Sequence, residues 1–287
     1  MLTIQDVFLT GIKKLKNSNI LSYQLDAKIL LKYILNLDNE NFELKKNDEI
    51  TNSNLDSYIK LIERRSKDEP IAYIVGKQAF WNDEFKVDKH TLIPRSETEL
   101  IIENVIKQFP DKESNLNIID LGTGSGCIII SLLQEYINAN GVGIDISQPA
   151  IDNANINKKL VVNPRRLEFI KEDFTNFNLS GFDIIIANPP YISHNDSNLQ
   201  KSVKEYEPHL ALFSENNGLY FFEKIIKNAS TVTNNLFYLF LEIGKGQEID
   251  VSNLLKNNNF KIITIENDLA EIPRCIVAKN NNKLELD

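Results

Sequence analysis

The stretch IIIANPPYIS, residues 184–193, runs four apolar residues straight into Asn188, two prolines and Tyr191. Ile184 to Ala187 has the pattern of a strand buried on both faces. Neither proline can donate a ladder hydrogen bond, so the strand must end there. Each proline also restricts the residue before it, which narrows both Asn188 and Pro189. A carboxamide and an aromatic ring are therefore held stiffly at a strand end. Three other features could carry chemistry. DLGTGSG, residues 120–126, is a glycine-rich turn between a strand and a helix, where bare backbone can approach a ligand. Asp145 closes GVGID, and a carboxylate there can accept from both hydroxyls of a ribose. Asp173 and Phe174 follow LEFIKE, where an acid and a ring can border an adenine. Taken singly, each has an ordinary reading as a turn or a helix-capping carboxylate.

The elements that must position these residues follow from the rest of the chain. Its 287 residues leave room for two domains and a sizeable core, with 42% hydrophobic and 25% charged residues. The net charge of -8 argues against a broad phosphate-binding surface. Residues 1–90 are neutral overall, so the acidic surplus lies beyond them. Cys127 and Cys275 make neither a disulfide framework nor a zinc pattern, and with His90, His194 and His209 scattered no metal site is expected. The N-terminus does not read as a signal peptide, and no apolar run reaches the roughly 20 residues of a membrane span. A cytoplasmic protein is expected.

Residues 1–72 are expected to be helical, with Ser22 capping SYQLDAKILLKYILN and the stripe Leu55, Tyr58, Ile59 and Ile62 packing a small bundle. Residues 73–93, within IAYIVGKQAFWNDEFKVDKHTLIP, read as a β-hairpin linker. Ser96 and Glu99 have capping-box spacing at the start of LIIENVIKQF. Residues 94–287 then alternate strands (NIIDL, GVGID, RLEFI, FDIIIA, LFYLFLEIG, FKIITI, CIVAK) with helices. That order predicts an α/β, mostly parallel sheet with helices on both faces, ligands lying beyond the carboxyl ends of the strands. The asparagines at 257–259 and 280–282 read as turn and tail.

The loop spacing is GxGxG and differs from the GxGxxG of pyrophosphate-binding dehydrogenases. That loop, the later acid and an NPPY after the fourth strand together resemble the adenosylmethionine-dependent methyltransferases that modify planar nitrogens. On that likeness the Asn188 side-chain oxygen and the Pro189 carbonyl would accept the two N–H groups of an amide or aromatic amine. Tyr191 would lie against its flat face. Orientation and desolvation then suffice, with no strong base.

DAKILL, EPIAYIVGKQAFW, LIPRSETEL, DLGTGSGCI, NPPYI, EPHLAL, NGLYFFEKII, LEIGKGQ and DLAEIPRCIVAK extend the likeness along essentially the whole chain. Together they resemble the peptide-chain-release-factor glutamine methyltransferases, the PrmC/HemK family. The resemblance implies a Rossmann-like adenosylmethionine-binding sheet with a small N-terminal helical domain that recognises substrate. It implies methylation of the side-chain amide of the glutamine in the Gly-Gly-Gln motif of class-one release factors, with no direct nucleic-acid or membrane partner. Gly122, Thr123, Gly124, Ser125, Gly126, Asp145, Asp173, Phe174 and Asn188 would hold the cofactor; Asn188, Pro189, Pro190 and Tyr191 would hold the glutamine, with Asn188, Pro189 and Tyr191 catalytic. Ser96 stands where proline is commoner, a feature of a sister group that methylates a ribosomal protein; Asn82 and Ser214 stand where glycine is frequent. The rivals are that ribosomal-protein enzyme, a nucleic-acid amino-methyltransferase, and a scaffold that binds without catalysing.

Overall fold

Residue contacts divide the chain into two units, one made of the residues up to Lys77 with Leu199–Tyr206, the other of Gln78 onward with Glu207 onward. The computed structural model describes residues 2–196, 199–233 and 235–281; Asn282 of the expected tail lies outside them. Among the described residues no helix is long and apolar enough to cross a membrane.

The first unit consists of the helices Ile4–Asn17, Tyr23–Leu35, Asn39–Lys45, Asn52–Arg65, Ile71–Val75 and Lys201–Tyr206. Thr3 opens the first with a capping box, its hydroxyl accepting from Asp6 N while Asp6 accepts from Thr3 N. Ser22, the expected cap of the second, forms no side-chain cap. Its hydroxyl donates instead to Asp26 Oδ2, which also accepts from Arg65 Nε at 2.8 Å in a nearly buried pair. Tyr58 packs so close to Gly11 that a Cβ there would stand 2.0 Å from its hydroxyl, which donates to the Ala27 carbonyl. Of the expected stripe, Tyr58 and Ile62 are buried with Leu55 packed alongside, whereas Ile59 is 41% exposed.

The second unit opens on a hairpin of β1 (Lys77–Phe80) and β2 (Asp83–Lys86). The hairpin is shorter than its sequence predicts, because Ile71–Val75 is a helix ended by Gly76 in the left-handed region. The expected capping box at Ser96 and Glu99 does not form. Arg95 precedes a short 3-10 turn without a side-chain cap, Ser96 Oγ donates to Glu97, and Glu99 accepts from Trp81 N at the hairpin turn. Glu99 serves a distant backbone N–H, so it is not free to cap its own helix.

The sheet contains β3 (Asn117–Leu121), β4 (Asn140–Asp145), β5 (Leu167–Lys171) and β6 (Ile184–Ala187), while β7 (Ile192–Ser193) and β8 (Phe213–Ser214) pair apart from it. With β9 (Tyr238–Glu242), β10 (Phe260–Asn267) and β11 (Pro273–Asn280), the order is β10-β11-β9-β6-β3-β4-β5. Four neighbouring pairs are parallel, and β11 runs antiparallel to β9 and β10. Alternation along each strand divides two cores. Ile118, Ile184, Ile186 and Phe240 meet the helices Glu99–Gln108 and Cys127–Glu135 on one face. Ile119, Ile185, Leu239 and Leu241 meet Tyr220–Ala229 and Glu248–Asn257 on the other. Both faces are buried, as continuous isoleucine runs require. Asn280 corrects the reading of the last asparagines: it is buried in β11, accepting from Phe237 N and donating to the Asn235 carbonyl.

Candidate active site

The chain passes from β3 outward to β4 on one side and to β6 on the other, so the carboxyl ends of β6, β3 and β4 lie side by side. This reversal of winding opens a crevice. The register aligns Leu121 with Ala187 and with Ile144, so Gly122, Asn188 and Asp145 all emerge at one edge. A cavity of about 450 Å³ lies there, within the usual range for small-molecule sites of roughly 300–1,000 Å³.

Gly122, Gly124 and Gly126 hold φ of +78°, +56° and +80°, a run of left-handed backbone that residues with side chains rarely adopt. A Cβ on Gly124 would meet nothing closer than 4.0 Å, which leaves the loop backbone bare toward the cavity. Asp145 pins the loop: its Oδ2 accepts from Gly124 N at 3.0 Å and its Oδ1 from Ser147 N at 2.9 Å. Each oxygen keeps a second lone pair for a ligand hydroxyl. Burial raises the Asp145 carboxyl, and the backbone N–H groups of Ser147 and Gly124 oppose that rise. Behind the loop, Asp120 is fully buried; burial pushes it up to about 7 against the Thr123 hydroxyl, which donates at 2.7 Å, and among the described residues its Oδ1 has no hydrogen-bond partner.

The expected residues Gly122, Thr123, Gly124, Ser125, Asp145, Asp173, Phe174, Asn188 and Pro190 all line this one cavity. Phe174 covers Gly122, whose Cβ would come 3.6 Å from the ring, and tilts against Phe221. The Asp173 side chain caps its own turn by accepting from Thr175 N. Gly126, Pro189 and Tyr191 do not line the cavity. Gly126 caps the helix Cys127–Glu135, with the Phe169 ring against it.

Tyr191 departs from the expectation of a ring laid on the substrate. It turns inward against Gly244 and donates from its hydroxyl to Glu242 Oε1 at 3.1 Å, while Gln247 Nε2 donates to its carbonyl. A buried carboxylate demands a donor, and the tyrosine hydroxyl supplies one. Burial is the main cause raising both the Tyr191 hydroxyl and the Glu242 carboxyl.

Several residues at this site had no role assigned from sequence. Thr98, 3% exposed, accepts from Asn188 Nδ2 at 3.2 Å. Arg95 lines the cavity and pairs with the buried Glu207, which also accepts from Ile93 N. Tyr220 and Phe221 close another wall. All lie in motifs recognisable as family markers, LIPRSETEL, EPHLAL, NGLYFFEKII and LEIGKGQ, whose spacing alone assigns them no partner.

A backbone cradle, a carboxylate with spare lone pairs and a flat ring fit a nucleoside-bearing ligand. The comparisons agree with that geometry. A family model described as PrmC N-terminal domain matches residues 6–76, and one described as methyltransferase domain matches residues 112–282. The chain is 34% identical, over 97% of its length and 98% of the relative's, to a release factor glutamine methyltransferase of Francisella tularensis subsp. tularensis. Its counterpart in Thermodesulfovibrio yellowstonii is 37% identical, over 90% of this chain and 93% of that one. A bifunctional methyltransferase of Rickettsia conorii is 35% identical over 96% of this chain, which spans only 57% of the length of that longer relative.

Proposed function

The chain belongs to the release factor glutamine methyltransferase family, and from that premise we propose that it methylates the side-chain amide nitrogen of the Gly-Gly-Gln glutamine in class-one release factors. Its place of action on this reading is the cytoplasm. S-adenosylmethionine, when bound, supplies an electrophilic methyl group on a sulfonium. Gly122 to Ser125 would present bare backbone to it, Asp145 would take the ribose hydroxyls on its free lone pairs, and Phe174 would border the base. Asn188 Oδ1, at the cavity, would accept one N–H of the glutamine amide, and the carbonyl of Pro189, the next residue but outside the cavity lining, would accept the other. That pairing aims the nitrogen lone pair, otherwise delocalised into the carbonyl, at the donor side of the cavity. The chain's contribution is preorganised placement in a dry site. Tyr191 acts from behind by fixing the loop.

The observation that carries this reading is the meeting of Asn188 with the glycine loop and Asp145 around one cavity. Labelled methyl transfer to purified release factor, ribosomal protein and DNA in parallel tests it, with release factor the expected acceptor. Asn188→Ala should leave cofactor affinity nearly intact and slow single-turnover transfer on the order of 10²-fold, the scale for one preorganised active-site hydrogen-bonding group. Transfer at the parent rate would make NPPY a strand-ending turn and nothing more. Residues 91–287 carry the whole acidic surplus, which favours a protein acceptor over a nucleic acid.

A further inference from the structure

The glycine loop is not the only stretch of chain that lines the cavity. Residues 90–95, which lie just beyond β2, contribute His90, Thr91, Leu92, Pro94 and Arg95 to its wall. We propose that Asn157, which does not line the cavity, ties that stretch to the glycine loop and so sets the affinity for adenosylmethionine. The inference rests on the cavity holding adenosylmethionine, whichever acceptor is methylated.

Asn157 closes the helix Gln148–Asn157 and is 2% exposed. Its Oδ1 accepts from Lys86 N at 2.8 Å, and its Nδ2 donates to the Lys86 carbonyl at 3.0 Å. The carboxamide thus pairs with the last residue of β2 as a peptide group of a neighbouring strand would. The same Nδ2 donates to the Ser125 carbonyl at 2.9 Å, while Asn153 Oδ1 lies farther off at 3.3 Å. Its two protons therefore meet two close backbone carbonyls, one in the hairpin and one in the glycine loop. Turned over, the carboxamide would set oxygen against both carbonyls and NH2 against the Lys86 N–H. Main chain alone fixes its orientation.

The peptide between Ser125 and Gly126 is held at both ends, its carbonyl by Asn157 and its N–H by the Thr123 carbonyl at 2.8 Å. Gly126, with φ of +80°, has no side chain to resist rotation of that peptide. Released by Asn157, the peptide is free to turn, and Ser125, which lines the cavity, turns with it. Docking of the hairpin does not depend on this tie. At the far end of the helix Cys127–Glu135, Gln134 Nε2 donates to Asp83 Oδ2 and Trp81 Nε1 to Glu135 Oε1. Those bonds keep the hairpin in place when Asn157 is changed, and what is lost is the joint between wall and loop. Asn157 is a positioning residue.

The test is calorimetry of adenosylmethionine binding to the full chain. Asn157→Leu keeps the shape of the side chain and makes none of its hydrogen bonds. It should weaken binding about tenfold or more, the scale of one lost hydrogen bond in a buried place. At saturating cofactor its single-turnover rate should stay within about twofold of parent, since ground state and transition state lose the same contact. A second measurement needs no substitution and stands even where Asn157→Leu fails to fold. In parent enzyme, adenosylmethionine should slow hydrogen exchange of the Lys86 amide severalfold, although Lys86 does not line the cavity. Parent affinity in Asn157→Leu, or exchange at Lys86 that ignores the cofactor, overturns the proposal. Rate and affinity lost in equal measure mark a general loss of structure and overturn it as well. Parent enzyme that binds no adenosylmethionine overturns the reading of the cavity itself, and the proposal with it.

Discussion

The loop after β3 and the loop after β6 leave neighbouring strands at the same edge of the sheet, yet they are held in opposite ways. Gly122 to Gly126 is shaped by three left-handed glycines and tied mainly through its backbone: Gly122 N and Thr123 N donate to the Ile144 carbonyl, Gly124 N donates to Asp145, and the Ser125 carbonyl accepts from Asn157. Asn188 to Tyr191 has no such internal geometry. Its side chains and carbonyls are gripped from outside by Thr98, Glu242 and Gln247. The first loop must be bare so that a ligand can lie on main chain. The second is held through side chains of other elements, Thr98 on Asn188 and Glu242 on Tyr191, which local backbone cannot supply.

If the two loops are independent, breaking one should spare the other. Gly218 has φ of +88°, and a Cβ there would stand 2.1 Å from the Tyr191 carbonyl oxygen. Gly218→Ala should therefore displace the second loop and slow methyl transfer on the order of 10²-fold, the cost of a misplacement near 1 Å. Cofactor affinity, measured by calorimetry, should barely move. Equal losses in both would mean that the loops form one mechanical unit.

The converse substitution acts on the first loop. Asp145→Ala strips the acceptor from Gly124 N and Ser147 N together with the ribose ligand, and should weaken adenosylmethionine binding by roughly 1–3 kcal/mol. At saturating cofactor the single-turnover rate should stay near parent. Unchanged cofactor affinity would remove Asp145 from the ribose role.

A third test sharpens the comparison through pH. Asp120, beneath the first loop, is raised by burial from an ordinary 3.8 to about 7. Its protonated form stabilises the fold, so this contribution is fully present below pH 3.8 and is lost as pH rises to about 7. The slope cannot exceed about 1.4 kcal/mol per pH unit. Asp120→Asn should flatten that part of the urea-unfolding profile between pH 4 and 7. A profile that still falls as steeply would place the proton elsewhere.

How much of this was legible beforehand tracks the same contrast. Runs such as Ile184 to Ala187 declare buried parallel strands, and glycine alternation declares a loop, because both signals are local. The sheet, its order of elements and the shared cavity followed from them. What sequence concealed is long-range. Thr98 lies 90 residues from Asn188, and Tyr191 lies 51 from Glu242. No periodicity links such pairs, so Tyr191 was expected at the cavity wall. Local capping rules failed at Ser22 and Glu99 for a related reason: Arg65 shares the Asp26 that Ser22 binds, and the Trp81 backbone claims Glu99. Ile71 to Val75 is β-branched and aromatic in texture, but it helps bury a helical core.

The register of the central strands has a metrological consequence. Leu121 sits opposite Ala187, and each is the last residue of its strand. The origins of the loop after β3 and the loop after β6 are therefore separated by one strand spacing, about 4.8 Å. That interval is set by main-chain hydrogen bonds, whatever side chains the strands carry. The sheet works as a ruler with a fixed graduation. A slip of one residue in β6 would move Asn188 about 3.3 Å along the strand and invert its facing. Side chains around the cavity can be exchanged, while the spacing between the origins of the two loops stays written in the backbone.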